Sequence, residues 1–335
     1  MRALYFDGKE VQYREDAPRP VCTPGHSLIR ILAAAICNTD QEILRGYRPR
    51  FRGILGHEFV GLVEESEDQT LIGKRVVGEL NEGCGKCIYC KSGREKHCPE
   101  RKVIGMEQLD GCFAEYMVLA THLLHVVPDE LPTKTAVFAE SLAAALEIPN
   151  RVHLRPSQNV AILGDGRLAY MITQVVALSG AELTIIGKHP EKLESFRPFG
   201  HAMTLQEATA RAEALQAAEA AEHTDAIQSA QATYEVVIDA TGNSEGLRLA
   251  AALVRRQGTI VMKSTYAGTV NVDMSYFVVN EITIKGSRCG PFEPAMNLLR
   301  RGRISLPQIE FYALKEYKQA FSSRAFKAGF LIDKK

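Results

Sequence analysis

Short apolar runs alternate with helical stretches along the second half of the chain, and this alternation most restricts the fold that the chain can adopt. The runs are rich in Val, Ile and Thr and end in Gly or Asp, as β-strands do. They are "NVAILGDG" (159–166), "ELTIIG" (182–187), "EVVIDATG" (235–242), "GTIVM" (258–262) and "EITIKGS" (281–287). Strands that are separated by helices pair in parallel, so the pattern predicts an α/β domain with a doubly wound parallel sheet over residues 143–287.

The first 142 residues have a different texture. Short β-prone runs follow one another there, with Gly, Pro and Asp between them and few helical stretches. Examples are "HSLIRILAAAI" (26–36), "EFVGLVEES" (58–66), "GKRVVGEL" (73–80) and "CFAEYMVLATHLLHVV" (112–127). We therefore predict a β-rich, barrel-like domain from residues 1–142, which residues 288–335 rejoin.

One segment between the predicted strands, residues 204–234, is rich in Ala, Glu and Gln. These residues favour helix, and the apolar stripe along the segment is thin. We expect one long or two short surface helices that lead back into the sheet. A partner-binding helix is the alternative.

Composition argues against several classes of function. Forty basic and forty acidic residues cancel, so no overall field attracts nucleic acid or an anionic membrane. The N-terminus lacks the apolar core of a signal peptide, and no apolar run is long enough to span a membrane. The sequence thus predicts a soluble, cytoplasmic protein. Because thiols stay reduced in that compartment, clustered cysteines point to a metal rather than to disulfides.

Four cysteines lie close together in the segment "NEGCGKCIYCKSGREKHCP" (81–99). They are Cys84, Cys87, Cys90 and Cys98. Four thiolates make a closed tetrahedral site of the kind that holds structural zinc, and the nearby glycines let the backbone fold round an ion. An iron–sulfur cluster is the main alternative because Pro99 follows the last cysteine, but the wide last gap and the lack of a second cluster oppose it. A nucleic-acid-binding zinc module fits the spacing and the neutral charge less well.

Upstream of this cluster, "ICNTD" (36–40) and "GHEFVG" (56–61) supply a cysteine and a histidine, which alone could simply be packed in a core. Together with the cysteine cluster, they make the chain resemble the medium-chain dehydrogenase/reductase family, and within it the zinc-dependent alcohol and polyol dehydrogenases. The motifs occur in the family's order along nearly the whole chain: "CNTD", "GHEFVG", "CGKCIYCKSGREKHC", "GCFAEY", "ESLAAALE", "LGDGRLA", "DATG" and "GSRCGPF".

This resemblance implies the domain organisation more closely. Residues 1–142 and 288–335 would form a GroES-like catalytic domain with a structural zinc lobe at about 81–99. Residues 143–287 would form a Rossmann dinucleotide-binding domain. The resemblance also implies a homodimer or a homotetramer.

The resemblance further implies a second, catalytic zinc, held by Cys37, His57 and Glu140. Glu140 lies in "FAESL", where Ser141 replaces the proline of the family's usual Glu-Pro-Leu motif. Three protein ligands leave a fourth position open, which is typical of catalytic zinc, and zinc at such a site lowers the pKa of a bound alcohol. The alternatives are an inert, buried Cys37 and a Glu140 that serves only as a charge at a helix N-terminus.

Three more residues near this zinc take roles by resemblance. Thr39 is implied as the hydroxyl that bonds the substrate oxygen and begins the proton relay, and Asp40 as the carboxylate that orients the imidazole of His57. Glu58 is implied as a carboxylate that can approach the zinc when the bound water leaves. The predicted catalytic residues are therefore Cys37, Thr39, Asp40, His57, Glu58 and Glu140.

A glycine-rich turn predicts the nucleotide site. The stretch "AILGDGRLAYMI" contains Gly164-x-Gly166-x-x-Ala169 between a strand and a helix. In that context the first glycine suits a tight turn, and the second lets the backbone approach a pyrophosphate at the helix N-terminus. The small Ala169 allows the helix to pack closely on the strand.

The end of the next predicted strand bears on the choice of cofactor. An NAD site carries Asp or Glu there, but this sequence has "IIGKHP" (185–190). Lys188 and His189 could pair with a 2′-phosphate and Gly187 leaves it room, so we expect NADP rather than NAD, although Lys and His hold phosphate less well than Arg. The alternative is that Lys188 is only a surface charge. The predicted cofactor-binding residues are Gly164, Gly166, Leu168, Gly187, Lys188, His189 and Thr241.

Together the motifs and the family resemblance imply an oxidoreductase with about two zinc ions per chain, which transfers hydride between a secondary alcohol or polyol and NADP or NAD. One alternative is a relative that keeps the fold and the nucleotide site as a non-catalytic binding or structural protein. Another is an iron–sulfur electron carrier. The arginine-rich stretch "ILRGYRPRFRG" (43–53) raises the hypothesis of an anionic substrate, against the alternative of a solvated loop.

Overall fold

The computed structural model describes residues 1–220, 234–265 and 269–332. Its internal contacts divide the chain into two compact units. The first unit comprises Met1–Ala143 and Pro291–Lys335, and the second unit comprises Ala144–Gly290. The second unit is therefore inserted into the chain of the first.

Strands and helices within the described residues are numbered in chain order. The strands are β1 Ala3–Phe6, β2 Val11–Arg14, β3 His26–Ala35, β4 Gly53–Ile54, β5 Glu58–Ser66, β6 Arg75–Gly78, β7 Asn81–Glu82, β8 Lys102–Ile104, β9 Gln108–Leu109, β10 Tyr116–Ala120, β11 Leu124–Val126, β12 Asn159–Leu163, β13 Glu182–Gly187, β14 His201–Thr204, β15 Tyr234–Asp239, β16 Val254–Met262, β17 Thr283–Gly286, β18 Ile309–Tyr312 and β19 Lys327–Leu331. The α-helices are α1 Asn38–Leu44, α2 Ile88–Lys91, α3 Thr133–Ala136, α4 Ala139–Arg151, α5 Arg167–Ala177, α6 Pro190–Leu193, α7 Leu205–Ala220, α8 Glu245–Leu253, α9 Met274–Val279, α10 Phe292–Arg300 and α11 Tyr317–Ser322.

A seven-stranded sheet forms the centre of the first unit. Its order is β11–β6–β5–β3–β19–β18, and β10 pairs with β3 beside that path. Every pair in it is antiparallel except β18 with β19. The register pairs Ala35, the last residue of β3, with Glu58, the first residue of β5. Because Cys37 follows β3 and His57 precedes β5, this pairing alone brings the two side chains to the same end of the sheet.

The aromatic core below this end of the sheet fixes the path of the chain into β5. Phe113 is fully buried, and its ring meets that of Phe330 edge-on at 5.0 Å and that of Phe321 at 6.2 Å. Gly56 lies against Phe113, and a Cβ at that position would be 2.4 Å from the ring. Gly56 also has a φ of +94°, which only glycine adopts readily. Glycine is therefore required immediately before His57.

A small sheet of β7, β8 and β9 carries the cysteine segment. β7 pairs with β8 in antiparallel fashion, and the chain between them contains the single turn of α2 and a 3-10 turn at Glu95–His97. The four cysteines thus lie on a loop whose two ends are joined by strand pairing.

The second unit contains a six-stranded sheet with the order β14–β13–β12–β15–β16–β17. All its pairs are parallel, and helices connect the strands. This is the doubly wound order typical of dinucleotide-binding domains, so the predicted fold class, a GroES-like domain with a Rossmann-type domain, is confirmed. Helix α5 packs on the sheet through an unbroken buried stretch from Ala169 to Val176.

The Ala- and Glu-rich segment is helical where the structure describes it. Helix α7 spans Leu205–Ala220, in agreement with the prediction, and the part of the predicted segment at 221–233 lies outside the described residues. In the described parts of the chain, none of the helices has the length and apolar character needed to cross a membrane.

Candidate metal and nucleotide sites

Three potential metal ligands meet where β3 ends and β5 begins. The thiol of Cys37, the imidazole of His57 and the carboxylate of Glu58 each offer a ligand atom, and these atoms all lie within 4.8 Å of one another. Cys37 caps helix α1 and is half-buried, whereas His57 and Glu58 are buried. A thiolate, an imidazole and a carboxylate are the donor types that zinc takes in proteins.

Asp40 holds two of these three residues in place. Its Oδ2 accepts the backbone N–H of Cys37 at 2.8 Å, and its Oδ1 lies 3.3 Å from Nδ1 of His57. Both Oδ1 and Nδ1 are buried and have no other partner within the described ranges. A histidine that binds a metal needs its second ring nitrogen aimed at such a carboxylate. The residues present therefore fit a zinc ion.

The charges around His57 favour a cation at this position. Burial alone would lower the pKa of His57, but the carboxylate of Asp40 and the thiol of Cys37 raise that pKa well above its usual value. A proton on His57 and a metal ion compete for the same surroundings, because both are positive charges beside an acid and a thiol.

Glu58 has a second partner, which the sequence analysis did not identify. The ammonium group of Lys327, on β19, forms an ion pair and hydrogen bond with Oε2 of Glu58. The side chains of Lys327 and Glu58 are only 3% and 1% exposed. Buried charges persist only when they are paired, so each depends on the other. The sequence feature that could have indicated a buried charge is a lysine within the apolar stretch "AFKAGFLI" (325–332).

Thr39 and Glu140 are the two remaining residues that were predicted near this group, and their positions relative to it differ. The Thr39 hydroxyl is 3.7 Å from Sγ of Cys37. Glu140 lies in the first turn of α4 and is half-buried, but it is not a member of the Cys37, His57 and Glu58 group. The structure therefore brings Glu58, rather than Glu140, into contact range of the other two ligands.

The four cysteines of the predicted lobe converge as expected. Their sulfur atoms all lie within 4.8 Å of one another, and those of Cys87 and Cys90 are 3.5 Å apart. Tetrahedral zinc with thiolate ligands requires sulfur–sulfur separations of about 3.8 Å. Gly83 permits this approach, since a Cβ there would be 2.6 Å from Sγ of Cys90. Backbone N–H groups of Lys86 and Cys87 lower the pKa of Cys84 to about 7, which favours the thiolate.

The arginine-rich stretch between Cys37 and His57 is largely satisfied by its own surroundings. Arg45 pairs with Glu42 at 2.7 Å, and Arg48 approaches Glu107 at 3.6 Å. Nη1 of Arg52 donates to backbone carbonyls of its own loop at 2.6 and 2.9 Å. These contacts favour the interpretation of a solvated loop over that of an anion site.

The glycine turn of the second unit has the geometry of a phosphate-binding loop. Gly164 has a φ of +125°, and a Cβ there would be 2.7 Å from the carbonyl oxygen of Ala240. Gly166 caps α5 and has no atom within 4 Å of the position of a Cβ, so space for a ligand remains in front of the helix. Leu168 is half-buried in the first turn of α5. Thr241 is exposed, and its hydroxyl donates to Asp239 at 2.7 Å.

Asp165, between the two glycines, is the residue that sequence reasoning missed. Its Oδ2 accepts the backbone N–H groups of Lys188 and His189, both at 2.7 Å, and lies 3.0 Å from Nδ1 of His189. A Cβ on Gly187 would be 2.8 Å from the Cβ of Asp165. The sequence shows no acid at the end of β13, yet the structure brings one there from the neighbouring loop. The room that Gly187 leaves is occupied by Asp165.

Comparisons with known proteins agree with this arrangement. Residues 23–129 match the model of the alcohol dehydrogenase GroES-like domain, and residues 168–301 match that of the zinc-binding dehydrogenases. The chain is 31% identical to an L-threonine 3-dehydrogenase of Streptomyces avermitilis over 94% of its own length and 93% of that protein's. It is 27% identical to an erythritol/L-threitol dehydrogenase of Mycolicibacterium smegmatis, and the alignment covers 92% of this chain and 89% of that protein.

A solved structure extends the likeness to the fold. The alcohol dehydrogenase of Thermus sp. ATN1 superposes with a TM-score of 0.82 at 25% identity, and the alignment covers 99% of both chains. The chain therefore belongs to the zinc-dependent alcohol dehydrogenases of the medium-chain dehydrogenase/reductase family, whose cofactors are zinc and a nicotinamide dinucleotide.

Proposed function

We propose that the protein is an oxidoreductase that transfers hydride between a secondary alcohol or polyol and a nicotinamide cofactor. The observation that carries this proposal is the convergence of Cys37, His57 and Glu58, with Asp40 behind the imidazole. A relative that had kept only the fold would have no need of a buried acid aimed at a ligand histidine. A polyol appears in the name of the relative from Mycolicibacterium smegmatis, which supports this substrate class.

The chain's own residues have separate tasks in this reaction. Cys37 and His57 would hold a catalytic zinc, and a bound zinc supplies a Lewis acid that lowers the pKa of an alcohol. Asp40 keeps the ring of His57 oriented and ties down the backbone of Cys37. Thr39, whose hydroxyl is 3.7 Å from the cysteine sulfur, would accept the proton of the substrate hydroxyl and pass it outward.

Two carboxylates compete for the role of third zinc ligand. Glu58 lies within reach of Cys37 and His57, but its charge is already neutralised by Lys327. Glu140 is the ligand that the family resemblance implies. We therefore propose that Glu140 would hold the zinc permanently and that Glu58 is a carboxylate that would approach it only transiently.

Two amide substitutions distinguish these roles. We expect Glu140→Gln to leave about one zinc per chain, because only the closed cysteine site then binds tightly. Glu58→Gln leaves the buried Lys327 unpaired and should be less stable. Under conditions in which thermal melting shows it folded, it should keep about two zinc ions per chain and lose turnover instead. Elemental analysis of protein purified without added metal or chelator, followed by a screen of secondary alcohols and polyols, measures both effects. Loss of one zinc from Glu58→Gln with none lost from Glu140→Gln would reverse the assignment. Wild-type protein with about one zinc and no turnover would support a non-catalytic relative.

We also propose that the protein is a homo-oligomer, a dimer or tetramer, joined through its second unit. β17 is the last strand of the parallel sheet, so one of its edges is unpaired within the described chain. Beside it, large apolar side chains are exposed on α9 and on β17 itself. They are Met274, Val278, Val279 and Ile284. A second copy of the chain would cover both the edge and these side chains.

Self-association at this edge predicts a specific mutational effect. Val278→Asp should convert the oligomer to a monomer, because a charge would be buried at the centre of the apolar patch. Leu178→Asp is a matched control, since Leu178 is also exposed in the second unit but lies at the end of α5. Light scattering after size exclusion gives the mass, and circular dichroism checks the fold. An oligomer that survives Val278→Asp would place the interface elsewhere.

None of the eight cysteines, all of which lie in the described residues, forms a disulfide; this suits a reducing compartment, and we propose a cytoplasmic location on that basis.

A further inference from the structure

We infer that Asp165 recognises the adenosine ribose of the cofactor and makes the protein prefer NAD to NADP. This inference rests on the proposed function, since it assumes that a nicotinamide dinucleotide binds at the glycine turn. It assigns a role to the side chain that lies between the two glycines of the fingerprint. It also reverses the preference that the sequence of the β13 end suggests.

The position of Asp165 is the first step. In dinucleotide-binding domains the acid that binds the ribose hydroxyls stands at the carboxyl end of the second strand of the sheet. In this chain that strand is β13, which ends at Gly187 and is followed by Lys188. The carboxylate of Asp165 reaches this place from the loop after β12 and is anchored there by two backbone N–H groups at 2.7 Å. An acid is therefore present at the usual place, although the strand itself does not supply it.

The hydrogen bonds leave one carboxylate oxygen available. All three donors that reach Asp165 from the described residues go to Oδ2. Oδ1 accepts no hydrogen bond within those residues. A carboxylate oxygen with unused lone pairs is suited to accept the hydrogen of a ribose hydroxyl. The side chain of Asp165 is 11% exposed and anchored by these hydrogen bonds, so it loses little conformational entropy when a ligand binds.

A 2′-phosphate would meet three obstacles at the same place. The backbone N–H groups that could bind its oxygens already bind Asp165. The space beside Gly187 is filled, because the Cβ of Asp165 would lie 2.8 Å from a Cβ at 187. The carboxylate would also repel the phosphate, and like charges that are brought together at an interface oppose binding strongly.

The basic residues next to Gly187 do not remove these obstacles. Nδ1 of His189 lies 3.0 Å from Asp165, so a charge on His189 would be neutralised within the protein. Lys188 is exposed, and an exposed ammonium contributes little to an ion pair. The acid is thus anchored and largely buried, whereas the remaining base is exposed to solvent.

Fluorescence titration of the reduced cofactors tests the assignment without any catalytic step. The chain has no tryptophan, so emission of the bound nicotinamide can be followed against a low protein background. We expect wild-type protein to bind NADH at least about tenfold more tightly than NADPH. Asp165→Asn should reduce this ratio severalfold, because it removes the charge and keeps an oxygen for the backbone N–H groups. Glu191→Gln is the matched control: Glu191 is an exposed acid in α6, two residues beyond His189, and its loss should leave the ratio unchanged.

The outcomes separate this inference from the proposed function. Tighter binding of NADPH by wild-type protein, or an unchanged ratio in Asp165→Asn, would overturn the role of Asp165 and leave the proposed function standing. Failure to bind either cofactor would refute the proposed function and the inference with it. Thermal melting of each variant shows whether a change in ratio comes from a damaged fold.

Discussion

Replacing Lys327 by methionine should destabilise the first unit by about 3–5 kcal/mol, since removing one partner of a buried ion pair leaves the other charge uncompensated. The carboxylate of Glu58 is the charge that would be left, and it is 1% exposed. Water cannot reach it in place of the ammonium group. Urea denaturation of the wild type and the variant measures the loss directly.

Substituting Glu58, the other member of the pair, gives the control for this experiment. The double variant Glu58→Gln with Lys327→Met removes both charges, so it should recover most of the lost stability. Lys86→Met is a matched surface control, because Lys86 and Glu100 form a pair at 3.7 Å whose side chains are 76% and 62% exposed. An exposed pair of that kind is worth about 1 kcal/mol at most. If Lys327→Met costs no more than Lys86→Met, the buried pair does not stabilise the fold.

The sequence could predict those parts of the site that depend on local spacing. The cysteine lobe is an example, because Cys84, Cys87 and Cys90 are so close in the chain that one tight local turn can bring their sulfurs together. The glycine turn is another, since Gly164 and Gly166 act where they stand between a strand and a helix. The architecture of the sheet followed from the alternation of strands and helices.

Contacts between distant segments could not be predicted in the same way. Lys327 and Glu58 are 269 positions apart, and only the pairing of β19 with β3, and of β3 with β5, brings them together. The sequence shows a lysine in an apolar stretch but not which acid it meets. Similarly, the carboxylate at the end of β13 comes from Asp165, 23 positions before Lys188. A search restricted to the strand end finds no acid because the acid lies on another loop.

The choice between Glu58 and Glu140 as zinc ligand is a third case, because the sequence identifies the residues but not their distances. Both acids were identified from sequence, and the question is how far each carboxylate lies from Cys37 and His57. Glu58 is fixed by the register of β5, whereas Glu140 lies in the first turn of α4. Spacing along the chain does not determine such a distance. A metal ion would add ligand bonds that compete with the pair of Glu58 and Lys327.

The two clusters of cysteine-containing ligands should respond in opposite ways to the same substitution. Cys87→Ser should cost folding or assembly, because a closed tetrahedral site contributes folding free energy directly and loses one of four thiolates. Cys37→Ser should abolish turnover with the fold intact, since Cys37 lies just beyond β3, a strand that the sheet already holds. Thermal melting, zinc content and turnover are measured on both variants. Cys22→Ser is the control for the substitution itself, because Cys22 is a thiol outside both clusters that donates to the carbonyl oxygen of His26 at 3.3 Å. A stable, properly assembled Cys87→Ser variant that retained its zinc would show that the four cysteines are not a structural clamp. A Cys37→Ser variant with full turnover would show that Cys37 is not part of the active site.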